Sequence, residues 1–115
     1  MCSSDLLVSP PLRVARDRDL VIGFAHRFAF ELSSSTAWDG GVIEVSSDGG
    51  STWVDVSTIV DPGYTGTITA QADNPLKTRP AFVGQSAMYP AMMTTSLALG
   101  RAFAGQTIQI GRAHV

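Results

Sequence analysis

The sequence has few charged residues, one cysteine, one lysine and no long apolar run. Asp, Glu, Lys and Arg make up 16% of its 115 residues, whereas an average soluble domain contains about a quarter. The net charge of −2 provides no basic surface for nucleic acid. No apolar stretch approaches the roughly 20 residues of a membrane-crossing helix, and a single cysteine indicates no disulfide framework. Nucleic acid and membrane are therefore not expected as partners.

The two ends of the chain suggest an origin outside the protein's own gene. Residues 110–115 (IGRAHV) are what ATC GGA AGA GCA CAC GTC would encode, a string that resembles a common sequencing adapter. Residues 1–6 (MCSSDL) are what GTG TGC TCT TCC GAT CT(N) would encode, with GTG as the start codon. That string is the reverse complement of the first one over the bases that the two have in common. We therefore predict that residues 7–109 are one truncated native domain from a metagenomic read. A natural tail that happens to fit is the alternative.

The clearest strand signal runs through residues 19–31 (DLVIGFAHRFAFE). Side chains of a strand alternate between its two faces. Here the apolar and aromatic set falls on one face, and it comprises Leu20, Ile22, Phe24, His26, Phe28 and Phe30. The other face receives Val21, Gly23, Ala25, Arg27, Ala29 and Glu31. Helical spacing would scatter the aromatic residues, so the pattern predicts a strand with one buried face.

Further short strands are predicted at 42–46, 52–56, from Phe82, at 92–97 and at 106–110, and 67–69 is a candidate for one more. Segment 57–81 carries Pro-Gly, Asn-Pro and Arg-Pro pairs and is predicted to be mainly a long surface loop. Residues 98–104 are predicted to form a bend, because Gly100 and Gly105 argue against a long helix there. Short strands separated by turn residues predict an all-β fold, an antiparallel β-sandwich that is incomplete at its C-terminus.

One motif matches at every fixed position. Residues 46–53 (SSDGGSTW) follow the Asp-box pattern S-x-D-x-G-x-T-W, whose fixed positions are Ser46, Asp48, Gly50, Thr52 and Trp53. The Asp carboxylate can accept backbone N–H bonds across the turn, the second glycine can adopt positive φ, and the Trp can cover the hairpin. Sialidase-like propellers carry several such boxes, whereas one copy cannot build a propeller. We expect a structural role for these five residues and no catalytic residues in the chain.

Metal and catalytic chemistry have few candidate residues. His26 lies in register with phenylalanines, which favours a core histidine with one hydrogen bond. Glu31 and Asp39 could meet across a loop and are the candidate ligands for a structural Ca²⁺, since hard oxygen donors suit that ion. Glu44 and Asp55 lie on neighbouring predicted strands and could instead face solvent. A glycosidase needs two carboxylates that flank a cleft, and no spacing here demands them.

The ordered series LVIGFAHRFAFE, WDGGVIEVSSDGGSTWVDV, PGYTGTI, NPLKTRPAFVGQS and LGRAFAGQTIQI resembles a jelly-roll accessory domain of bacterial exoproteins. That domain accompanies secreted metallopeptidases of the fungalysin-like and immune-inhibitor-A-like types, and subtilisin-like proteases. It is distantly similar to the MAM-type sandwich. The resemblance implies a jelly-roll fold and a secreted, extracellular location. The family continues with a basic, aromatic strand and a G-W-x-[IV]-D-D strand, neither of which follows here.

The resemblance implies a non-catalytic accessory or binding module of a larger secreted hydrolase, expected to be a peptidase. Its roles would be adhesion to a substrate or surface, or stabilisation. Its partners would be a protein or glycan surface and the catalytic domain of the same parent chain. Three aromatic residues in predicted loops, Trp38, Tyr64 and Tyr89, are the candidates for ligand contact. The alternative hypothesis is part of a catalytic jelly-roll enzyme that acts on glycans.

Overall fold

The structure is a computed structural model that describes residues 5–114. Within that range it contains eleven strands, one 3₁₀ turn at Val56–Thr58 and no α-helix. The strands are β1 (Asp5–Val8), β2 (Leu12–Arg13), β3 (Leu20–His26), β4 (Leu32–Ser33), β5 (Thr36–Ala37), β6 (Gly41–Ser46), β7 (Val54–Asp55), β8 (Gly66–Thr67), β9 (Pro80–Ala81), β10 (Met93–Gly100) and β11 (Thr107–His114). No helix in this range is long and apolar enough to cross a membrane.

The strands form an antiparallel sandwich, which confirms the predicted all-β class. The larger sheet has the order β1-β11-β6-β7, and β2 pairs with the start of β11. The smaller sheet is the antiparallel pair β3–β10. Between them lies the inter-sheet core, to which both sheets and their connections contribute. Its buried members are Val14, Phe28, Ile43, Val45, Val56, Phe82, Leu97, Leu99 and Ile108.

The long alternating segment behaves as predicted in burial, although its ladder is shorter. Even-numbered side chains from Leu20 to Phe30 are buried or half-buried, and odd-numbered ones from Val21 to Glu31 are exposed. Strand β3 nevertheless ends at His26. After His26 the backbone hydrogen-bonds to segment 84–86 instead of to β10. Ser86 N–H donates to Phe28 C=O over 2.9 Å, and Phe30 N–H donates to Gly84 C=O over 2.7 Å.

Segment 57–81 is largely irregular, but it is not only a surface loop. It folds over the outer face of β6 and forms the outer core, which comprises Ala37, Val42, Ile68, Ala72, Leu76, Ala81, Val83 and Ala113. All six residues of β6 are therefore buried. The sequence prediction was wrong on this point because the apolar residues of the segment follow neither a strand nor a helix period.

Two other predicted boundaries differ. Strand β7 has only two residues because the Asp55 side chain accepts the Ser57 N–H at 2.9 Å and starts the 3₁₀ turn. The last strand runs beyond residue 110, and residues 110–114 pair with β6 and, from Gly111, with β1. The prediction that this tail is adapter-encoded concerns its coding origin and stays a prediction.

Candidate functional site

The Asp-box residues close the turn after β6. The Ser46 hydroxyl donates to Asp48 Oδ1 over 2.7 Å and accepts the Gly50 N–H at 2.9 Å. Asp48 also accepts the backbone N–H of Thr52 at 2.9 Å and the Thr52 hydroxyl. Gly49 and Gly50 have φ of 76° and 97°, where a side chain would be strained. Trp53 Nε1 donates to the Gly50 carbonyl over 3.1 Å, so the indole covers the turn.

These bonds predict an acid-sensitive hairpin. Hydrogen bonds from Thr52, then from Ser46, lower the pKa of Asp48 to about 2. Because the folded pKa lies below the ordinary value, the stabilisation is present above about pH 4 and is lost as the pH falls towards 2. An NMR titration of the Asp48 carboxyl carbon should therefore have its midpoint near pH 2. In Thr52→Ala the midpoint should rise. An unchanged midpoint would show that the Thr52 hydroxyl does not lower the pKa of Asp48.

A cluster of four polar side chains lies under segment 57–81, and we call Glu44, Asp55, Tyr64 and Arg79 the polar cluster. Register pairs Glu44 of β6 with Asp55 of β7. Arg79 Nη2 lies 3.1 Å from Glu44 Oε2 and 2.8 Å from Asp55 Oδ2, and so bridges the two carboxylates. The Glu44 side chain is 6% exposed, so the Arg79 guanidinium compensates the cost of burying this carboxylate. The carboxylate pair that the structure brings together is thus Glu44 and Asp55.

The polar cluster disfavours a metal ion between its carboxylates. The Arg79 guanidinium already occupies the position of a cation there, and nearby Asp55 and Glu44 raise its pKa although burial opposes them. One oxygen, Glu44 Oε1, is buried without a hydrogen-bond partner among the described residues. Two carboxylates and one guanidinium leave one negative charge in the cluster. This arrangement holds segment 57–81 against β6 rather than presenting a binding surface.

Tyr64 completes the hydrogen bonding of β6 where β7 has ended. Its hydroxyl accepts the Ile43 N–H at 2.9 Å and donates to Asp55 Oδ1 over 2.8 Å. Its ring packs edge-on against Phe82 with centroids 4.9 Å apart. Burial raises the pKa of the phenol above its ordinary value. Of the three aromatic residues proposed for ligand contact, Tyr64 is thus half-buried, with its hydroxyl engaged.

Replacing Tyr64 with Phe should remove about 1–3 kcal/mol of stability, because the buried Ile43 N–H would lose its acceptor. Chemical denaturation of the two proteins measures the difference. Tyr89→Phe is the matched control, since Tyr89 is 42% exposed and should change stability by less than about 0.5 kcal/mol. Equal effects of the two substitutions would contradict a stabilising role of the Tyr64 hydroxyl.

His26 is a core residue of β3. It is 3% exposed, and its Nε2 lies 2.8 Å from the Thr95 hydroxyl of β10. Phenylalanine rings surround it, with centroids of Phe24 at 4.8 Å and Phe82 at 5.2 Å. Burial, and then the positive charge of Arg112, lower the pKa of the imidazole. The neutral ring therefore dominates in the folded protein at pH 7.

This setting predicts a loss of stability in mild acid. Since the folded pKa of His26 lies below the unfolded value of about 6.5, the unfolded chain takes up the proton first as the pH falls. The melting temperature should drop between pH 7 and 5. In His26→Gln, which keeps a polar group near Thr95, the drop should be smaller. The same slope in both proteins would refute this origin of the pH dependence.

The remaining predicted residues differ in their exposure. Glu31 and Asp39 flank the β4–β5 pair, in which Leu32 faces Ala37; Glu31 is exposed and Asp39 half-buried. Among residues 5–114, no group of three or more His, Cys, Asp or Glu is placed to hold a metal. The Ca²⁺ site therefore stays a prediction. Trp38 packs against the outer core, and Tyr89 lies in the exposed turn before β10.

Two grooves run along the smaller sheet. The β3 groove, of about 540 Å³, is lined mainly by apolar residues of β1, β3 and β11, together with His26 and Arg112. The β10 groove, of about 440 Å³, is lined by residues 93–96 of β10, residues of the 61–65 loop, Phe28, Phe82 and Ala87. Neither Glu44 nor Asp55, the two carboxylates of the polar cluster, lines either groove. Both grooves are concave surfaces of the described part of the chain.

No family model, curated protein or solved structure matches this chain. The resemblance to a jelly-roll accessory domain accordingly stays a prediction.

Sequence reasoning did not predict the polar cluster or the grooves. Arg79 lies 35 residues from Glu44 and 24 from Asp55, and no motif links the three. The one available signal was a lone arginine between Thr78 and Pro80 in a segment otherwise poor in charge. Groove positions depend on which strand edges stay unpaired, and that follows from topology rather than from local pattern.

Proposed function

We propose that the chain is a non-catalytic accessory module of a larger secreted bacterial hydrolase, with a peptidase as the expected parent. Its role would be adhesion to a substrate or surface, or stabilisation of the parent. The observation that supports this proposal is that the titratable groups of the polar cluster and His26 bond to other groups of the fold. Glu44 and Asp55 each bond to Arg79, Tyr64 bonds to Asp55 and to backbone, and His26 bonds to Thr95.

Catalysis requires a nucleophile, its base and an orienting group that converge on a cavity. In the β10 groove the charged member of the lining is Asp61, whose Oδ1 accepts the Gly63 N–H of its own turn at 2.9 Å. In the β3 groove the Ser9 hydroxyl donates to the Pro10 carbonyl and accepts the Ile110 N–H. These groups serve local structure, which supports a binding role for the concave surfaces.

A second candidate function is catalysis by a glycan-acting jelly-roll domain. The observation that favours it is the pair Thr95 and His26, since Thr95 lines the β10 groove and its hydroxyl contacts the imidazole at 2.8 Å. In nucleophilic catalysis a hydroxyl can act as the nucleophile and an adjacent imidazole as its base. The aromatic surroundings of His26 supply no carboxylate to orient it among the described contacts, which favours the first proposal.

Hydrolysis assays on the full chain separate the two candidates. The chain is incubated with a casein digest and with a mixture of polysaccharides, and new amino groups and reducing ends are counted. We expect rates equal to those of buffer and of Thr95→Val. Hydrolysis that is lost in Thr95→Val or His26→Gln, with the variant still folded, would overturn the accessory role. Sequencing the parent gene on both sides should reveal a protease domain in the same reading frame; a complete gene without one would count against the parent assignment.

A further inference from the structure

Strand β10 has one unpaired edge. Residues Met93–Gly100 pair with β3 on one side, and no described strand lies on the other. In an antiparallel pair every second residue directs its N–H and C=O away from the partner. The outer edge of β10 thus presents a row of backbone donors and acceptors, which is the feature that an additional strand recognises.

The β10 groove follows this edge. Its lining includes four consecutive residues of β10, Met93, Thr94, Thr95 and Ser96. Side chains of consecutive strand residues point to opposite faces, so a groove that touches all four lies beside the strand and not on one face. The far wall comes from loop 61–65 and from the rings of Phe28 and Phe82. A volume of about 440 Å³ beside an open edge suits a short extended segment.

The chemistry of the groove defines what would fit. Phe28, Phe82 and Met93 provide an apolar wall, while Thr65, Thr94 and Ser96 add hydroxyls. Of the described residues that line it, Asp61 alone carries a charge. A carboxylate beside backbone groups favours a peptide with a basic side chain at that point. An apolar residue two positions along the peptide would share the same face.

The turn that leads into β10 extends this surface. Met88, Tyr89 and Met92 are 61%, 42% and 52% exposed, and the Arg27 guanidinium anchors the turn by donating to the Pro90 carbonyl over 3.1 Å. Methionine side chains adapt to differently shaped partners. Along the chain, the exposed apolar turn is followed directly by the four β10 residues that line the groove.

We propose that the outer edge of β10 binds an extended peptide, which adds to the smaller sheet as a further strand. A lysine or arginine of the peptide pairs with Asp61, and an apolar side chain two residues away packs on Phe28 and Phe82. This inference rests on the proposed function, because it names the partner class of a non-catalytic module. Main-chain bonds supply affinity in such strand addition, and pockets for alternate side chains supply selectivity.

A second copy as the occupant, and the β3 groove as the location, both fit less well. Pairing of β10 with the same edge of a second copy would bring two Asp61 carboxylates towards each other, and each copy already carries a net charge of −2. The β3 groove also borders an open edge, but it is bounded in part by residues 110–112, which lie in the tail for which an adapter origin is predicted. The edge of β10 is free of that segment.

The probe is a blocked, fluorescent hexapeptide in which threonine occupies positions 1, 3 and 5, valine positions 2 and 6, and lysine position 4. Fluorescence anisotropy with the full chain measures its affinity. Two N-methylated versions carry methyl groups on the odd or on the even amides. Strand addition uses only alternate amides, so we expect one version to bind within about threefold of the parent and the other to lose at least about tenfold. Absence of saturable binding, or equal behaviour of the two versions, would overturn the proposal.

Asp61→Asn tests the charge pairing, because Asn keeps an oxygen for the Gly63 N–H. We expect the affinity to fall about threefold, as for an exposed ion pair, and to fall further when glutamate replaces the peptide lysine, because two carboxylates then face each other. Asp73→Asn, on an exposed carboxylate outside the groove, should leave the affinity unchanged. An equal loss in both variants would refute the role of Asp61. Cleavage of the bound peptide would overturn the proposed function instead, and a dimer that the peptide does not dissociate would assign the edge to a second copy.

Discussion

Arg79→Met should destabilise the fold by about 3 kcal/mol, the lower end of the range for breaking a buried ion pair. The substitution leaves the Glu44 carboxylate, 6% exposed, without the cation that now lies 3.1 Å away. A third of the Arg79 side chain reaches solvent, which keeps the effect below the upper end of that range. Urea denaturation followed by circular dichroism measures the change.

The double variant Glu44→Gln/Arg79→Met distinguishes a stranded charge from lost packing. If the charge is the cause, the double variant should recover a coupling of about 1–3 kcal/mol relative to the sum of the single effects. Arg18→Met is the surface control: the Arg18 and Asp17 side chains are 81% and 85% exposed, and an exposed pair contributes under about 1 kcal/mol. Additive single effects would show that Arg79 acts by packing alone.

Ile108→Ala should cost about 2–5 kcal/mol, because Ile108 is 1% exposed in the inter-sheet core and its truncation removes contacts and leaves a cavity. Ile108→Val should cost about 0.5–1.5 kcal/mol. The two values together report how tightly the sheets pack. Thermal and chemical denaturation give the comparison.

The adjacent residue is the matched control for this core prediction. Thr107 lies on the same strand but is exposed, so Thr107→Ala should change stability by less than about 0.5 kcal/mol. A loss at Thr107 as large as at Ile108 would contradict the sandwich arrangement, since it would place both successive side chains in an interior.

The parts of the fold that the sequence predicts are those where local pattern and burial agree. Alternation from Leu20 to Phe30 required a strand with one apolar face, and the smaller sheet buries that face. The Asp-Gly-Gly turn after Ser46 is likewise a local feature whose bonds span only a few residues. Such signals need no knowledge of distant parts of the chain.

The parts that sequence reasoning missed depend on distant contacts. Ile68 and Leu76 are fully buried, yet they belong to segment 57–81, which the sequence predicts to be mainly a surface loop. For Glu44 and Asp55 the sequence leaves a solvent-facing position open, because nothing near them in sequence indicates Arg79 as their partner. A close approach between β8 and Val83 is required at Gly66, where a Cβ would lie 2.6 Å from Val83 Cγ2. Only tertiary packing specifies such contacts.

Strand β6 lies between two cores, one on each of its faces. Its amides can reach deuterated solvent only when the whole chain opens, so hydrogen exchange at Val42 and Val45 should report the global unfolding free energy. Amides of segment 57–81 can exchange when that layer alone detaches. A slowly exchanging central strand under a faster covering layer would identify the order in which the molecule comes apart.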